Sequence, residues 1–514
     1  MTLVCFLLIQ CSPSKNHVDT SRPNIVYILA DDLGYGDISS FNPQGKIGTP
    51  NIDSLSHHGM RFTDAHSPSA VCSPTRYGII TGRYAWRSRL KSGVTWSWDQ
   101  PLISDHQTTV ASLLKENGYH TGCVGKWHLG LGWQQDSSGR EDIVQPLTAG
   151  PTTVGFDYFF GITASLDIPP YIYIENDQST TPQIDTIEKR DGKEFWRKGQ
   201  IGSDFTHEGC LPMLTEKAVK YINEQAKKDN PFFLYFPLPA PHTPILPTSE
   251  FKGKSSTNEF GDFVLMVDDV VGQVVNALRR NNLEENTLVI FTSDNGCSPM
   301  ADFEELATFN HDPSYIYRGH KADIFEGGHR IPFVAKWPAV IAGERTSDET
   351  VCLTDLLATC ADIVGDTLTD DEGVDSYNIY PLLQGKTPSQ PVREATVHHS
   401  VNGSYAIRQE NWKLIFCPGS GGWSSPVPKD ALVQNLPALQ LYDLTQDAAE
   451  ENNLVEQHPV VVNRLSNLME NYIANGRSTP GTAQQNDAPT ALFFARDKLA
   501  AVMKEQSKYL IHKN

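Results

Sequence analysis

The sequence predicts a large doubly wound α/β domain, a mixed sheet with helices on both faces, followed by a small α+β subdomain built on a short antiparallel sheet. Three observations predict it. Residues 25–30, 121–124, 232–236 and 288–291 are continuous apolar runs, the pattern of strands buried on both faces. Between them lie helical patterns such as Val264, Val267, Val271, Val274, Val275 and Leu278, which repeat at i, i+3 and i+4. Strands alternating with amphipathic helices imply a wound sheet over residues 22–385, and the texture changes in residues 386–514.

Taken in order, the first run ends on Asp31-Asp32 and the second leads to Lys126 and His128. The third leads to His242, and the fourth ends at Asp294-Asn295. Ligands in open α/β sheets bind beyond the carboxyl ends of the strands, so four such endings predict one site assembled from distant parts of the chain. A helix is predicted over residues 351–364 from Val351, Leu353, Leu356, Leu357, Cys360 and Val364. In the smaller subdomain residues 405–408, 412–416 and 441–444 read as short strands, and 419–422 as a loop. Val461, Leu465, Leu468, Met469, Tyr472 and Ile473 pattern a late helix stopped at Gly476, and 475–489 reads as an extended surface segment.

Composition removes several function classes. The net charge of −19, from 42 Lys and Arg against 61 Asp and Glu, excludes a nucleic-acid binder that works by counterion release. No apolar run beyond the first ten residues approaches the roughly 20 needed to span a bilayer, which excludes a multispan membrane protein. Nine cysteines, an odd number without regular spacing, argue against a disulfide scaffold. Residues 1–21 read as an export segment and tether: an apolar stretch runs into Cys11 and then a polar Ser12-Pro13-Ser14-Lys15-Asn16 stretch. This resembles a bacterial lipoprotein signal with Cys11 as the lipid anchor, although no basic n-region precedes it and Gln10 is bulky for that position. The expected location is the periplasm or the outer membrane of a bacterium.

The sharpest local motif is Cys72-Ser73-Pro74-Thr75-Arg76, continued by Thr81-Gly82-Arg83. Pro74 suits the first turn of a helix, which puts Cys72 at a helix N-terminus, where free N–H groups and the dipole favour an anion. A buried structural cysteine is the other reading of that residue. Asp31, Asp32, Asp294 and Asn295 offer only oxygen ligands, the donor set for a hard cation such as Ca²⁺ or Mg²⁺ rather than zinc. Lys126, Lys321 and Arg76 are candidate clamps on an oxyanion, and His128 and His242 candidate general acid and base.

Taken together these motifs resemble the type I, formylglycine-dependent sulfatase family, arylsulfatase-like members of the alkaline phosphatase superfamily. The segments follow the family's order: Ala30-Asp31-Asp32, Cys72-x-Pro74-x-Arg76, Gly125-Lys126-Trp127-His128, Pro241-His242-Thr243-Pro244, Ser293-Asp294-Asn295-Gly296, then Arg318-Gly319-His320-Lys321 with Glu326-Gly327-Gly328-His329-Arg330. The resemblance covers about residues 22–475 and implies an alkaline-phosphatase-like fold. It implies that a maturation enzyme converts Cys72 to formylglycine, and that one Ca²⁺ is held by Asp31, Asp32, Asp294, Asn295 and position 72. A hydroxyl of the hydrated aldehyde would attack sulfur to give a covalent sulfo-enzyme. His242, with Lys321, would protonate the departing alcohol, and His128 would drive release of sulfate.

The implied substrate is a sulfated carbohydrate, a galactose or N-acetylgalactosamine 6-O-sulfate from a polysaccharide. A phosphodiesterase or phosphonate monoester hydrolase of the same superfamily, and an inactive glycan-binding relative, are the alternatives. Asp167 and the aromatics of residues 166–173 could grip a sugar ring or wall the core, and Trp196, Arg197 and His207 lie in the same variable insert, unranked.

Overall fold

A computed structural model describes residues 22–501. The export segment and Cys11 fall outside these residues. The core is a ten-stranded mixed sheet. Its centre runs Thr287–Ser293, Asn24–Asp31, Phe232–Pro241, His120–Lys126, Tyr158–Ile162, all parallel neighbours. The strands Phe333–Lys336 and Met60–Phe62 add antiparallel pairing on one side. All four predicted apolar runs are therefore adjacent central strands, the arrangement that brings their carboxyl ends together.

Side-chain alternation divides the interior into two apolar layers. From the first strand, Ile25, Tyr27 and Leu29 enter one layer, with Tyr77, Ile79 and Ile80 of the helix Cys72–Thr81. Val26, Ile28 and Ala30 enter the other, under the helix Glu259–Arg280 with Val264, Val267, Val271 and Val274. That helix is capped by Asn258, whose side chain accepts from the N–H groups of Phe260 and Gly261.

The predicted helix over 351–364 is shorter than expected. Val351–Cys352 pairs in parallel with Ala65–His66, a 3₁₀ turn covers Leu353–Asp355, and the α-helix is confined to Leu356–Val364. An apolar spacing of three and four is satisfied equally by a buried bridge leading into a helix, so periodicity alone placed the start too early. The segment at 475–489 is irregular as expected but is not all surface: Arg477 and Ser478 are buried, and Asn486 receives a hydrogen bond from Arg87.

The smaller sheet has four antiparallel strands, Thr396–His399, Tyr405–Gln409, Trp412–Ile415 and Gln440–Asp443. The helix Pro459–Ala474 packs Leu465, Met469 and Tyr472 against it. The seam between the sheets is charged. Lys413 reaches from the small sheet to Glu326 (3.1 Å) and Glu450 (2.8 Å), and Arg330 and Arg408 pair with Asp64.

Three buried histidines, 66, 329 and 398, lie in that seam. The Lys413 ammonium donates to His329 Nε2 (3.0 Å), which leaves the proton of that ring on Nδ1, 3.1 Å from His66 Nδ1; His66 Nε2 in turn faces Asp64 at 2.9 Å. Burial holds each of the three rings below its ordinary value, which favours the neutral form. They do not form a metal site, because His329 and His398 stack at 3.8 Å and 6°, so their in-plane lone pairs run parallel instead of converging.

The seam makes a pH prediction. A histidine depressed in the folded state takes up its proton only on unfolding, so its stabilisation is present above about pH 6.5 and is lost as pH falls below it. Glu450, pushed up to about 7 by burial and by Glu326 despite Lys413, protonates in the folded state and offsets one of the three. Denaturant midpoints should fall from pH 7.5 towards 5, and in His398→Gln the slope should be shallower by up to about 1.4 kcal/mol per pH unit. Identical slopes would contradict a neutral His398.

Candidate active site

The site lies past the carboxyl ends of the central strands. Asp31 is the last residue of its strand, where the pairing with Phe232–Pro241 shifts register after Leu29. Asp32 follows with φ +66°, and His128, just beyond His120–Lys126, has φ +59°. Two non-glycine residues held left-handed at the mouth of one site mark a backbone constrained by its surroundings.

Cys72 is the first residue of the helix Cys72–Thr81, as the motif predicted, and its Sγ lies 3.6 Å from Asp31 Oδ1. Around it are Lys126 Nζ, 2.6 Å from Asp31, and Lys321 Nζ, 2.7 Å from Asp32. Asp294 Oδ1 accepts from the backbone N–H of Asp32 (3.2 Å), and Asn295 Nδ2 donates to Asp32 Oδ1 (2.8 Å). The chain therefore gathers every predicted site residue into one buried cluster. A difference concerns Arg76, expected on the oxyanion. Its guanidinium is turned onto Asp294 Oδ2 (Nε 3.1 Å, Nη2 2.7 Å) and the Lys126 carbonyl (3.0 Å). Arg76 follows Cys72 by one helical turn, which directs it under the carboxylates, so its contacts position Asp294.

The electrostatics follow from charge crowding at full burial. Burial alone would raise the Asp31 carboxyl, but Lys126, His242, Arg76 and Lys321 outweigh it and hold it well below the usual carboxylate range. Burial and then the neighbouring Asp31 push Asp294 up to about 7, with Arg76 and Lys126 opposing. Burial pushes the Cys72 thiol up to about 12, only partly countered by Lys126 and Lys321. Reactive thiols are depressed, so an unmodified Cys72 is a poor nucleophile.

The two histidines differ in what they face. His128 Nε2 lies 2.8 Å from the Thr95 carbonyl, which can only accept, so Nε2 carries the proton; Nδ1 is buried with no partner and keeps its lone pair. Burial, Lys126 and Arg76 hold this ring well below its ordinary value, so it is neutral and equipped to accept a proton. His242 has acceptors on both sides, the Thr243 carbonyl 2.6 Å from Nδ1 and Asp32 Oδ2 3.6 Å from Nε2.

The donor set fits a hard dication. Asp31 and Asp32 lie side by side with Asp294 on the Asp32 N–H, and Asn295 Oδ1 is a buried oxygen with no hydrogen-bond partner, its amide nitrogen already committed to Asp32 and to the Gly296 carbonyl. An atom of Asp31, Asp32, Cys72 and His242 each lies within 4.8 Å of the others. A cation would satisfy the orphaned oxygen and relieve the repulsion that raises Asp294.

Some contributors carry no sequence signal. Thr95 fixes His128 twice, through its carbonyl and through its hydroxyl to the His128 carbonyl (2.7 Å), and Ser73 of the cysteine motif holds Thr95 in place by accepting from its N–H (3.1 Å to Oγ). Asp323 ties the loop at Trp423 (2.8 Å) to the Lys321 segment. Neither belongs to a recognisable spacing.

A family model described as Sulfatase matches residues 23–366. An N-acetylgalactosamine-6-O-sulfatase of Bacteroides thetaiotaomicron is 34% identical over 499 residues, covering 88% of this chain and 94% of that protein. Human arylsulfatase A is 32% identical over 454 residues, covering 84% and 83%. Among solved structures, a sulfatase described in connection with glycosaminoglycan metabolism by B. thetaiotaomicron superposes with a TM-score of 0.78 at 34% identity, covering 88% of this chain and 99% of that one.

Proposed function

Because the chain belongs to the sulfatase family and so is a sulfuric ester hydrolase, we propose that its substrate is a sulfated carbohydrate, a 6-O-sulfated galactose or N-acetylgalactosamine from a polysaccharide. The observation that carries the sugar assignment is the 34% identity, across nearly the whole of both chains, to an N-acetylgalactosamine-6-O-sulfatase. We further propose that Cys72 is converted to formylglycine and that Asp31, Asp32, Asp294 and Asn295 hold Ca²⁺. The place of Cys72 at a helix start, 3.6 Å from Asp31, supports the first and the orphaned Asn295 oxygen the second.

When present, formylglycine supplies a hydrated aldehyde as nucleophile, and Ca²⁺ supplies positive charge against the sulfate oxygens. The chain's own side chains do the rest. Lys126 and Lys321, each with one donor committed to a carboxylate, keep further N–H bonds for the sulfate oxygens. His242 Nε2 delivers a proton to the departing alcohol oxygen. His128 Nδ1 accepts a proton from the hydroxyl at position 72, and the Thr95 carbonyl holds the ring in the tautomer that can do so.

The reading is tested with protein coexpressed with a maturation enzyme, assayed side by side on a sulfated and a phosphorylated aryl ester and then on defined sulfated mono- and oligosaccharides. The sulfate ester should be turned over far faster than the phosphate, and galacto-configured 6-O-sulfates should lead the sugars. Preference for the phosphate ester overturns the assignment of chemistry, and preference for a gluco-configured or non-6-O-sulfate overturns the assignment of sugar.

A further inference from the structure

Two loops are knitted together beside His128. One is Thr95-Trp96-Ser97, bonded to His128 through Thr95; the other begins at Thr163, whose carbonyl accepts from the His128 N–H (3.1 Å) and whose hydroxyl donates to Ser97 Oγ (2.9 Å). The first loop presents Trp96, a tryptophan 48% exposed between the buried Thr95 and Ser97. The second carries Asp167, which is 92% buried by the complement of its 8% exposure, and whose Oδ1 has no hydrogen-bond partner.

Arg197 joins the two. It pairs with Asp167 Oδ2 and donates to the Asp167 carbonyl (3.0 Å), while its guanidinium carbon lies 5.1 Å from the centre of the Trp96 ring. The Tyr171 hydroxyl donates to the Arg197 carbonyl (2.7 Å) and lies 3.2 Å from the Asp167 carbonyl, so both backbones are fixed. The Arg197 side chain itself is 39% exposed. A rigid base under one exposed charged side chain makes Arg197 the part that can yield.

We propose that Trp96, Asp167 and Arg197 form the subsite for the sugar that carries the sulfate, a proposal that rests on the carbohydrate reading above. The chemistry of the three groups is complementary to a pyranose. Its C–H face packs on the indole, a ring hydroxyl donates to Asp167 Oδ1 and completes the hydrogen bonding of a buried carboxylate, and another accepts from Arg197 once that side chain shifts on its stem. A planar aryl leaving group can stack on Trp96 but has no hydroxyl for Asp167. The same three residues therefore separate sugar from aryl sulfates, and Asp167, which sits at a fixed place relative to His128, reads hydroxyl configuration on the ring.

The test compares wild type, Asp167→Asn, Trp96→Ala, Trp96→Phe and Arg197→Ala, each coexpressed with a maturation enzyme and matched for aldehyde content by mass and for melting temperature. The readout is the ratio of kcat/KM on the preferred sulfated sugar to that on an aryl sulfate. Asp167→Asn and Trp96→Ala should lower this ratio by about 10- to 100-fold, with KM for the sugar carrying much of the change, and Trp96→Phe should restore part of it. An unchanged ratio, or equal losses on both esters, in a wild type active on sulfated sugars overturns the subsite and leaves the carbohydrate reading intact. A wild type that turns over the aryl ester and no sulfated sugar overturns both.

Discussion

Cys72→Ala should abolish turnover, with a loss of about 10⁴-fold or more, while the fold survives. The Cys72 side chain begins the helix Cys72–Thr81, lies 3.6 Å from the Asp31 carboxylate and feels the charge of both lysines. Every other described cysteine is buried and unpaired, at positions 123, 210, 297, 352, 360 and 417. Removing one sulfur from a buried helix start costs on the order of 1 kcal/mol, too little to unfold the sheet beneath it. The elevated thiol makes a second, independent expectation. Protein from a host without a maturation enzyme, carrying the intact cysteine by mass, should be as inactive as the alanine variant although it folds identically. Activity within tenfold of the matured enzyme in either preparation would remove position 72 from the mechanism.

The parts of the site that were legible in the sequence share a physical cause. A strand buried on both faces has no polar residue to spare until it ends, so the apolar runs at 25–30, 121–124, 232–236 and 288–291 announced both the strands and the places where Asp31, Lys126, His242 and Asp294 gather. The helix at Cys72 was legible because Pro74 tolerates only the first turn.

What was not legible is non-local. Thr95 reaches His128 across 33 positions and the hydrogen bond is to a carbonyl, which every residue type has. The histidine seam joins residues 66, 329 and 398, the first 263 positions from the second, and Lys413 reaches His329 from the smaller sheet. Arg76 was assigned by residue type to the substrate, and only the geometry of one helical turn shows that its donors go to Asp294. The strand Thr396–His399 escaped because its alternation is masked by burial on both sides, with all four residues inaccessible.

The last expectation concerns the cation. Millimolar Ca²⁺ should raise the melting temperature of the wild type, a chelator should lower it, and Asp294→Asn should lose most of that difference. Asp31 and Asp294 crowd at full burial on either side of the Arg76 guanidinium, and burial, then Asp31, pushes Asp294 up to about 7 although Arg76 and Lys126 oppose it. A dication removes that repulsion, displaces the proton and gives Asn295 Oδ1 a partner. At a concentration about 1,000 times Kd such binding stabilises by about 4 kcal/mol. Asparagine at 294 keeps the shape but halves neither the burial nor the demand of Arg76, whose remaining carboxylate is Asp31 at 3.5 Å. Arg76 then competes with the ion for Asp31, and the affinity falls. The pH sign follows from the same residue: because binding expels a proton from Asp294, the calcium-dependent gain should shrink as pH drops from 8 to 6 in the wild type and change little in Asp294→Asn. Equal melting temperatures with Ca²⁺ and with chelator, or the same pH response in both proteins, would show that these oxygens hold no cation.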